Sequence, residues 1–377
     1  MNTPRREVLP LGAVGALGAH EGVSRRTVLK YGLGSLAVVT VGGSMVLSSA
    51  TRVSADVVRG RLFVSAGERP MIDGLVVPFV GFGSTAGRLE LPSGQLEVET
   101  GDTVILTITN NSTMPVGFDV PGVADASAAP IPPGATRNVS FTAPPRPSTF
   151  FYVGTVNGSL ATGQVLGATG ALVVLPRGPR TSVEALFPGV RALGHRQPMF
   201  GRGSAAPMPT KIAQERTWLF SELNPTTART LAGGRVALPG DPEPEYFLIN
   251  GISGMLSTED HATNLSGHSG GLGEPGDATL VRMINTGRAP RSVHMHGNHF
   301  WVLSHPDSPW LVGAFKDTVR IPPDGIVDVL VPMETPPDSF PVVNRAQKYV
   351  VHDHIEMAET ASGGHYPAGM VSEVIFE

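Results

Sequence analysis

Short runs in which apolar and polar residues alternate make up much of the chain after residue 55. In the run GDTVILTITNN, Val104, Leu106 and Ile108 occupy every second position. Successive side chains of a β-strand point to opposite faces, so this pattern predicts a strand with one buried face. The chain contains 46 glycines and 34 prolines among its 377 residues, and only 16% of its residues are charged. We therefore expect an all-β fold in which many short strands are joined by turns.

The strand pattern occurs twice, with its landmarks in the same order. A Gly-Asp turn opens a strand that ends in asparagine, an Ile-Pro-Pro turn follows, and a strand after a glycine closes each copy. The matched landmarks are Gly101 and Gly276, Asn110 and Asn285, Ile131 and Ile321, and Gly170 and Gly369. Such turns also recur by chance in β proteins, but their common order favours an internal repeat.

The repeat predicts two β-sandwich domains in tandem, at residues 56–180 and 215–377. Residues 181–214, which are rich in Pro, Gly, Ala and Met, are predicted to be a linker. A short helix is expected within 182–193. The glycine-rich run at 264–276 is expected to be a mobile loop.

Residues 1–55 are typical of a twin-arginine export signal. The motif SRRTVLK begins at Ser24, a mostly apolar run covers 31–50, and the small residues Val-Ser-Ala end at Ala55. The alternative is a membrane anchor that stays uncut. Cleavage would place the protein in the periplasm, in the cell envelope or outside the cell.

The charge of the remaining chain argues against two classes of partner, and its lack of cysteine excludes disulfides. Removal of residues 1–55 takes away six basic and two acidic side chains, which changes the formal net charge from −4 to −8. This balance argues against binding to anionic membranes, and the chain has no basic block interleaved with aromatic residues that would indicate nucleic-acid binding. The chain has no cysteine, so disulfides cannot stabilise it.

Two histidine pairs near the C-terminus are the strongest chemical signal. His294 and His296 lie in RSVHMHGNHF, and His352 and His354 lie in YVVHDHIEM. On a β-strand, each H-x-H pair places two imidazoles on one face of the sheet. Four nitrogens could together hold one Cu(II) or Zn(II) ion. The alternative is that the histidines are hydrogen-bonded inside a sandwich that binds no metal.

The motifs around these pairs resemble those of multicopper oxidases. The C-terminal half contains YFLINGISG, HMHGNHFWVLS, HDHIEM and a Gly-Met pair ending at Met370. The resemblance covers nearly all of the chain after the signal and implies two cupredoxin-like Greek-key β-sandwiches, as in small laccases and copper nitrite reductases. It also implies a blue copper held by a cysteine and two histidines, a three-copper cluster held by four H-x-H pairs, and a homotrimer by analogy with two-domain relatives.

Only part of the family's ligand set is present. His294, His296, His352 and His354 match two of the four pairs, and Met370 matches the axial methionine of the blue copper. Asp353 stands at the position of the cysteine, and Arg291 stands at the position of a blue-copper histidine. The segment 119–122 (DVPG) replaces one N-terminal pair, and Val153 and Thr155 replace the other.

Asp353 and Arg291 are predicted to form an ion pair in the former blue-copper pocket. A blue copper centre needs a thiolate, so that centre cannot form in this chain. Strand alternation turns Asp353 away from His352 and His354, towards the same side as Arg291. The alternative is two solvated surface charges.

Other residues are weaker site candidates. In two-domain relatives the histidine face meets the first domain of a neighbouring subunit, and Asp119 could add a carboxylate ligand from that domain. His299 is displaced by one position from the family's next ligand position, which is Asn298 here, and is expected to face the opposite side. His365 is expected to belong to a turn, and Met199 and Met208 are too few and too far apart for a thioether site. The remaining histidines are expected to be solvated: His20, His195, His261, His268 and His305.

These observations leave two functional hypotheses open. The first is an exported, copper-binding multicopper-oxidase-like protein that, if it is an enzyme, oxidises small phenolic or inorganic reductants in the manner of a laccase. It would hold one copper ion, or more at a subunit interface, with zinc as the alternative metal. The second hypothesis is a non-catalytic cupredoxin-fold scaffold or metal-binding module of the cell envelope.

Overall fold

The computed structural model describes most of the chain after residue 55. It covers residues 56–193, 207–235, 243–271, 273–336, 347–362 and 366–377, and the backbone of two earlier strands. The described residues belong to one compact unit. Within the described ranges, no helix combines the length and the apolar character that a membrane crossing requires. The twin-arginine motif, His20, His195, Met199 and His365 lie outside the described residues.

The first sandwich pairs a seven-stranded sheet with a four-stranded sheet. Its strands are β1 (Val38–Val41), β2 (Ser44–Leu47), β3 (Val57–Pro70), β4 (Val76–Gly83), β5 (Ser93–Glu99), β6 (Thr103–Asn110), β7 (Val116–Asp119), β8 (Ser127–Ile131), β9 (Thr136–Thr142), β10 (Ser148–Val153) and β11 (Thr169–Leu175). The strand orders are β1-β2-β5-β11-β10-β7-β8 and β4-β3-β6-β9. Leu62, Phe82 and Leu106 from one sheet share a core with Phe118 and Leu172 from the other.

The second sandwich pairs a six-stranded sheet with a five-stranded sheet. Its strands are β12 (Gln214–Leu223), β13 (Tyr246–Ile249), β14 (Leu265–Gly267), β15 (Thr279–Asn285), β16 (Arg291–Met295), β17 (Phe300–Val302), β18 (Phe315–Lys316), β19 (Thr318–Ile321), β20 (Ile326–Val331), β21 (Gln347–Asp353) and β22 (Val371–Phe376). The strand orders are β13-β12-β15-β20-β17-β18 and β14-β22-β21-β16-β19. The predicted all-β fold of two sandwiches is therefore confirmed.

In the part of the chain that the structure describes, helices are few and short. They are α1 (Leu160–Val165), α2 (Val183–Leu186), α3 (Pro225–Ala232), α4 (Met255–Glu259) and the 3₁₀ turns Pro309–Leu311 and Glu356–Glu359. The expected helix within 182–193 is confirmed by α2, where the Ser182 side chain accepts a hydrogen bond from the Ala185 N–H.

The predicted repeat is visible in the hydrogen bonds of its two asparagines. Asn110 at the end of β6 and Asn285 at the end of β15 are both fully buried. The Asn110 amide donates to the carbonyl groups of Met114 and Ile131, at 2.7 Å each. The Asn285 amide donates at 2.9 Å to Ala289, also four residues later, and at 3.0 Å to Pro322 in the second Ile-Pro-Pro turn. The same side chain thus closes the same turn in both sandwiches.

The alternation of β6 is observed, but β15 departs from it. In β6 every second residue is buried, whereas all seven residues of β15 are buried. Ile284 of β15 packs against Phe151 and Val153 of the first sandwich. Because β15 faces its own core on one side and the first sandwich on the other, neither face reaches solvent.

A buried polar network also joins the two sandwiches. Arg282 of β15 donates at 2.8 Å to the Thr149 hydroxyl of β10, and that hydroxyl donates at 2.8 Å to Asp328 of β20. Arg282 also lies 3.1 Å from Glu215. A buried guanidinium is costly unless it is paired, so these contacts fix how the sandwiches pack.

Two segments between regular elements are more ordered than their composition indicates. In the predicted linker, Leu186 and Ile212 are buried in an apolar cluster with Val173 of the first sandwich and Leu330 of the second. In the glycine-rich run at 264–276, the expectation of a mobile loop is wrong for Leu265–Gly267, because this segment is β14 and pairs with β22.

Replacement of Asn110 by alanine should destabilise the protein by about 1–3 kcal/mol, because it leaves buried carbonyl and N–H groups without partners. Urea denaturation would measure the change in unfolding free energy. Asn138→Ala is the matched control, because Asn138 is exposed on β9, and it should cost less than about 0.5 kcal/mol. Equal midpoints for the two variants would contradict the role of the buried amide.

Candidate metal centre

The two histidine pairs lie on neighbouring antiparallel strands. In the register of β16 with β21, His294 is directly opposite His352, and Val293 is opposite Asp353. Val293, Met295, Val351 and Asp353 are buried, whereas the histidines are half-buried or exposed. The predicted alternation therefore places the imidazoles together on the outer face of the five-stranded sheet.

Three of the four imidazoles converge closely enough to share an ion. His296 Nε2 lies 3.2 Å from His352 Nε2. One ring nitrogen from each of His294, His296 and His352 lies within 4.8 Å of the others. The ring of His354 is 5.4 Å from that of His294 and stacks at 5.5 Å on that of His352. Among the described residues, His354 is therefore beside the three-histidine group but not part of it.

The Nδ1 atoms of His294 and His352, which point away from the three-histidine group, contact hydrogen-bond acceptors. His294 Nδ1 lies 3.1 Å from the Asp317 carbonyl oxygen and 2.9 Å from the Thr318 hydroxyl. His352 Nδ1 contacts the Glu359 carboxylate. A carbonyl or carboxylate oxygen only accepts, so both rings donate from Nδ1, and in the neutral form of each ring the lone pair is then on Nε2. Such outer contacts orient the histidine ligands of metal sites.

This donor set could hold one metal ion. Three imidazoles suit Cu(II) or Zn(II), with a further position open to solvent because His296 is exposed. The eight histidines that the family's three-copper cluster requires are not in the chain at the matching positions. Val153, at one missing position, is fully buried against Phe151 and Ile284, so the first sandwich presents an apolar contact there.

The other face of the same strands carries the predicted ion pair. Arg291 Nη1 lies 3.4 Å from Asp353 Oδ2, and the two side chains are 1% and 0% exposed. The pair is therefore confirmed, and the alternative of solvated surface charges is wrong. Asp353 Oδ1 also accepts hydrogen bonds from the N–H groups of Ser292 at 2.9 Å and Ile355 at 3.3 Å.

Glu222 of β12 is a third member of this buried group, which sequence reasoning missed. Its carboxylate contacts the other end of the Arg291 guanidinium and accepts from the Arg288 N–H at 2.8 Å. Burial raises the pKa of the Asp353 carboxyl group, while the Ser292 N–H and the Arg291 guanidinium oppose this shift. Burial likewise lowers the pKa of the Arg291 guanidinium, and Asp353 opposes it. Glu222, Arg291 and Asp353 are called the buried triad below.

The buried triad is incompatible with a blue copper centre. The guanidinium fills the space between the two carboxylates, and its Cζ lies 5.4 Å from the centre of the Phe247 ring. Met370 is fully buried in the apolar core, and its carbonyl accepts from the Asp353 N–H at 3.1 Å. The chain has no cysteine, so no thiolate can bind copper at this position.

The remaining candidates lie apart from the three-histidine group. His299 stacks on Phe315 with the ring centres 5.1 Å apart. His305 was expected to be solvated, but it is 8% exposed, and its Nε2 donates at 3.0 Å to the Arg320 carbonyl. Asp119 is half-buried at the end of β7, where desolvation raises the pKa of its carboxyl group. Its role as a ligand stays a prediction.

Comparison with known proteins identifies the family. Sequence profiles described as "Multicopper oxidase" match residues 89–179 and 260–371. The chain belongs to the multicopper oxidase family, and copper binding is the property that this membership implies. No curated protein sequence matches the chain significantly.

Solved structures of copper proteins share the fold at low identity. The blue copper oxidase from Nitrosomonas europaea is 19% identical with a TM-score of 0.60, and 85% of each chain is covered. The multicopper oxidase mgLAC is 21% identical with a TM-score of 0.60, covering 86% of each chain. The copper nitrite reductase from Nitrosomonas europaea is 17% identical with a TM-score of 0.55, covering 85% of this chain and 94% of the other. These likenesses establish two tandem cupredoxin-like sandwiches.

Arg291→Met should destabilise the protein by about 3–5 kcal/mol, because it leaves two buried carboxylates without their shared cation. Combining it with Glu222→Gln and Asp353→Asn should recover most of that loss, because both amides keep an oxygen for the N–H groups that the carboxylates serve. Thermal and urea unfolding would measure the differences.

The matched control for this prediction is Arg320→Met. Arg320 pairs with Asp307 at 3.7 Å, but its side chain is 59% exposed, so its loss should cost less than about 1 kcal/mol. If Arg291→Met were as stable as this control, the buried triad would not stabilise the fold.

Proposed function

We propose that this protein binds one copper ion through His294, His296 and His352 and has no blue copper centre. The observation that carries the proposal is the approach of three ring nitrogens to within 4.8 Å on a surface that solvent can reach. A closed structural metal site would be buried, whereas an open one can admit a small molecule. His354, whose ring adjoins two of the three, is proposed as a fourth nitrogen ligand.

The chain's own residues hold and present the ligands. β16 and β21 fix the imidazoles by their register, and the contacts at His294 Nδ1 and His352 Nδ1 keep both Nε2 atoms available. Copper, when bound, would supply one-electron redox chemistry. We place the copper ion on the solvent-facing side of the sheet, where the chain would leave one coordination position of the ion open.

The absence of a thiolate restricts how such a site could work. In the family, electrons enter at the blue copper, and the buried triad takes that place here. Any reductant must therefore reach the histidine site directly, which favours small phenolic or inorganic molecules over a large electron donor. On this basis we propose that the protein is a copper-dependent oxidoreductase with fewer copper sites than other multicopper oxidases.

The second candidate is a non-catalytic cupredoxin-fold module. The observation that favours it is the combination of the buried triad with Val153, because both replace metal ligands by contacts that stabilise the fold. A scaffold of this kind would contain no copper when purified, whereas a non-catalytic metal-binding module would contain copper but would not oxidise a reductant.

We also propose that the protein is exported by the twin-arginine route. The support is the SRRTVLK motif from Ser24 with the apolar run at 31–50. This route carries folded proteins, so a metal could be bound before export.

Protein purified from copper-supplemented cells should contain about one copper per chain, and the His294→Ala/His352→Ala variant should contain none. Elemental analysis and the Cu(II) electron paramagnetic resonance spectrum would measure this. The control is His261→Ala/His268→Ala, which removes two exposed imidazoles outside the site and should leave the copper content unchanged.

Zinc loading under the same conditions tests metal identity, and copper is expected to displace zinc because nitrogen sites favour Cu(II). The intense visible band of a copper–thiolate bond should be absent. Metal-free wild-type protein whose stability equals that of the double histidine variant would instead support the non-catalytic module.

A further inference from the structure

We infer that Glu359 is a positioning residue for the copper site, where its carboxylate holds His352 in the form that presents Nε2 to the metal. This inference rests on the proposed copper site. Glu359 is not a ligand in this arrangement, because it contacts the outer nitrogen, Nδ1, of the ring. We expect Glu359 to strengthen and orient the bond between His352 Nε2 and the copper ion.

The backbone of Glu359 is fixed independently of its side chain. Its carbonyl accepts hydrogen bonds from the N–H groups of Ala368 at 3.1 Å and Gly369 at 2.9 Å. A Cβ on Gly369 would lie 2.1 Å from the Ala358 carbonyl oxygen, so only glycine allows this close approach. Residues 368–369 therefore pack directly against the backbone of residues 358–359, and this contact holds Glu359 beside β21.

The contact between Glu359 and His352 is sheltered from water. Both side chains are only 13% exposed. A hydrogen bond to a charged group is stronger where water competes less. The carboxylate can only accept, so of the two neutral tautomers of His352 it selects the Nδ1–H form, which has its lone pair on Nε2.

That lone pair is aimed at the shared site. His352 Nε2 lies 3.2 Å from His296 Nε2, a distance at which two ring nitrogens either share a proton or bind a common ion. As a neutral ring with its proton on Nδ1, His352 is the acceptor in this pair. The arrangement therefore leaves a nitrogen ready for a metal ion without a change of tautomer.

The two outer contacts of the site are not equivalent. His294 Nδ1 meets a neutral carbonyl and a hydroxyl, and the Asp317 carboxylate is 4.0 Å away. Only His352, of these two rings, meets a carboxylate within hydrogen-bond distance. A carboxylate partner makes an imidazole more basic and a stronger ligand, so His352 should make the stronger bond.

Glu359→Ala should weaken Cu(II) affinity by about 10- to 100-fold, measured by competition with a chelator of known affinity. Glu359→Gln keeps an oxygen that can accept from Nδ1, so its affinity should lie between those of the alanine variant and the wild type. The matched control is Glu356→Ala, which removes an exposed carboxylate from the same 3₁₀ turn and should leave affinity unchanged.

A second measurement needs no metal. Side-chain ¹⁵N spectra of the metal-free protein should show His352 with its proton on Nδ1 in the wild type and in Glu359→Gln, and a shift towards the Nε2–H form in Glu359→Ala. Backbone spectra confirm that each variant is folded, and Glu359→Gln serves where the alanine variant is not. Wild-type affinity together with an unchanged His352 tautomer in Glu359→Ala would overturn the inference. Failure of the wild type to bind copper would instead refute the proposed site, while the tautomer still reports on Glu359.

Discussion

The register between β16 and β21 is the constraint on which both halves of the site depend. It sets His294 against His352 on the outer face and Val293 against Asp353 on the inner face. Because side chains alternate along a strand, a slip by one residue would bury the imidazoles and expose the carboxylate. The pairing of these two strands therefore sets both the position of the proposed metal site and the position of the buried carboxylate that Arg291 neutralises.

The two faces obey different rules because their exposure to water differs. On the inner face, a single unpaired charge would be costly, so Arg291 is shared by Asp353 and by Glu222 from β12. On the outer face, the histidine rings are half-buried or exposed, so water can hydrogen-bond to ring nitrogens that lack a protein partner. The inner face thus has one arrangement of paired charges, whereas the ring nitrogens of the outer face lie close together at a surface that water can reach.

What the sequence could predict follows from how local each feature is. The alternation that puts His294 with His296, and Asp353 away from His352, is a property of a single strand and was predictable. Glu222 lies 69 residues before Arg291, and nothing near it in the chain indicates that β12 returns to the same pocket. The complete burial of β15 could not be predicted either, because its second face is covered only by packing against the first sandwich.

Fold stability alone does not account for the imidazoles of the outer face. Other polar residues could occupy half-exposed positions on an outer sheet face at little cost, since water would satisfy them. The structure instead holds two rings by their outer nitrogens, through Thr318 and Glu359, and turns ring nitrogens of three towards one another. Imidazoles packed around a common point repel one another when they are protonated, so the arrangement is most favourable with a cation between neutral rings. The inner face, by contrast, already contains its cation in Arg291, so only the outer face has ring nitrogens placed where the proposed copper ion would bind.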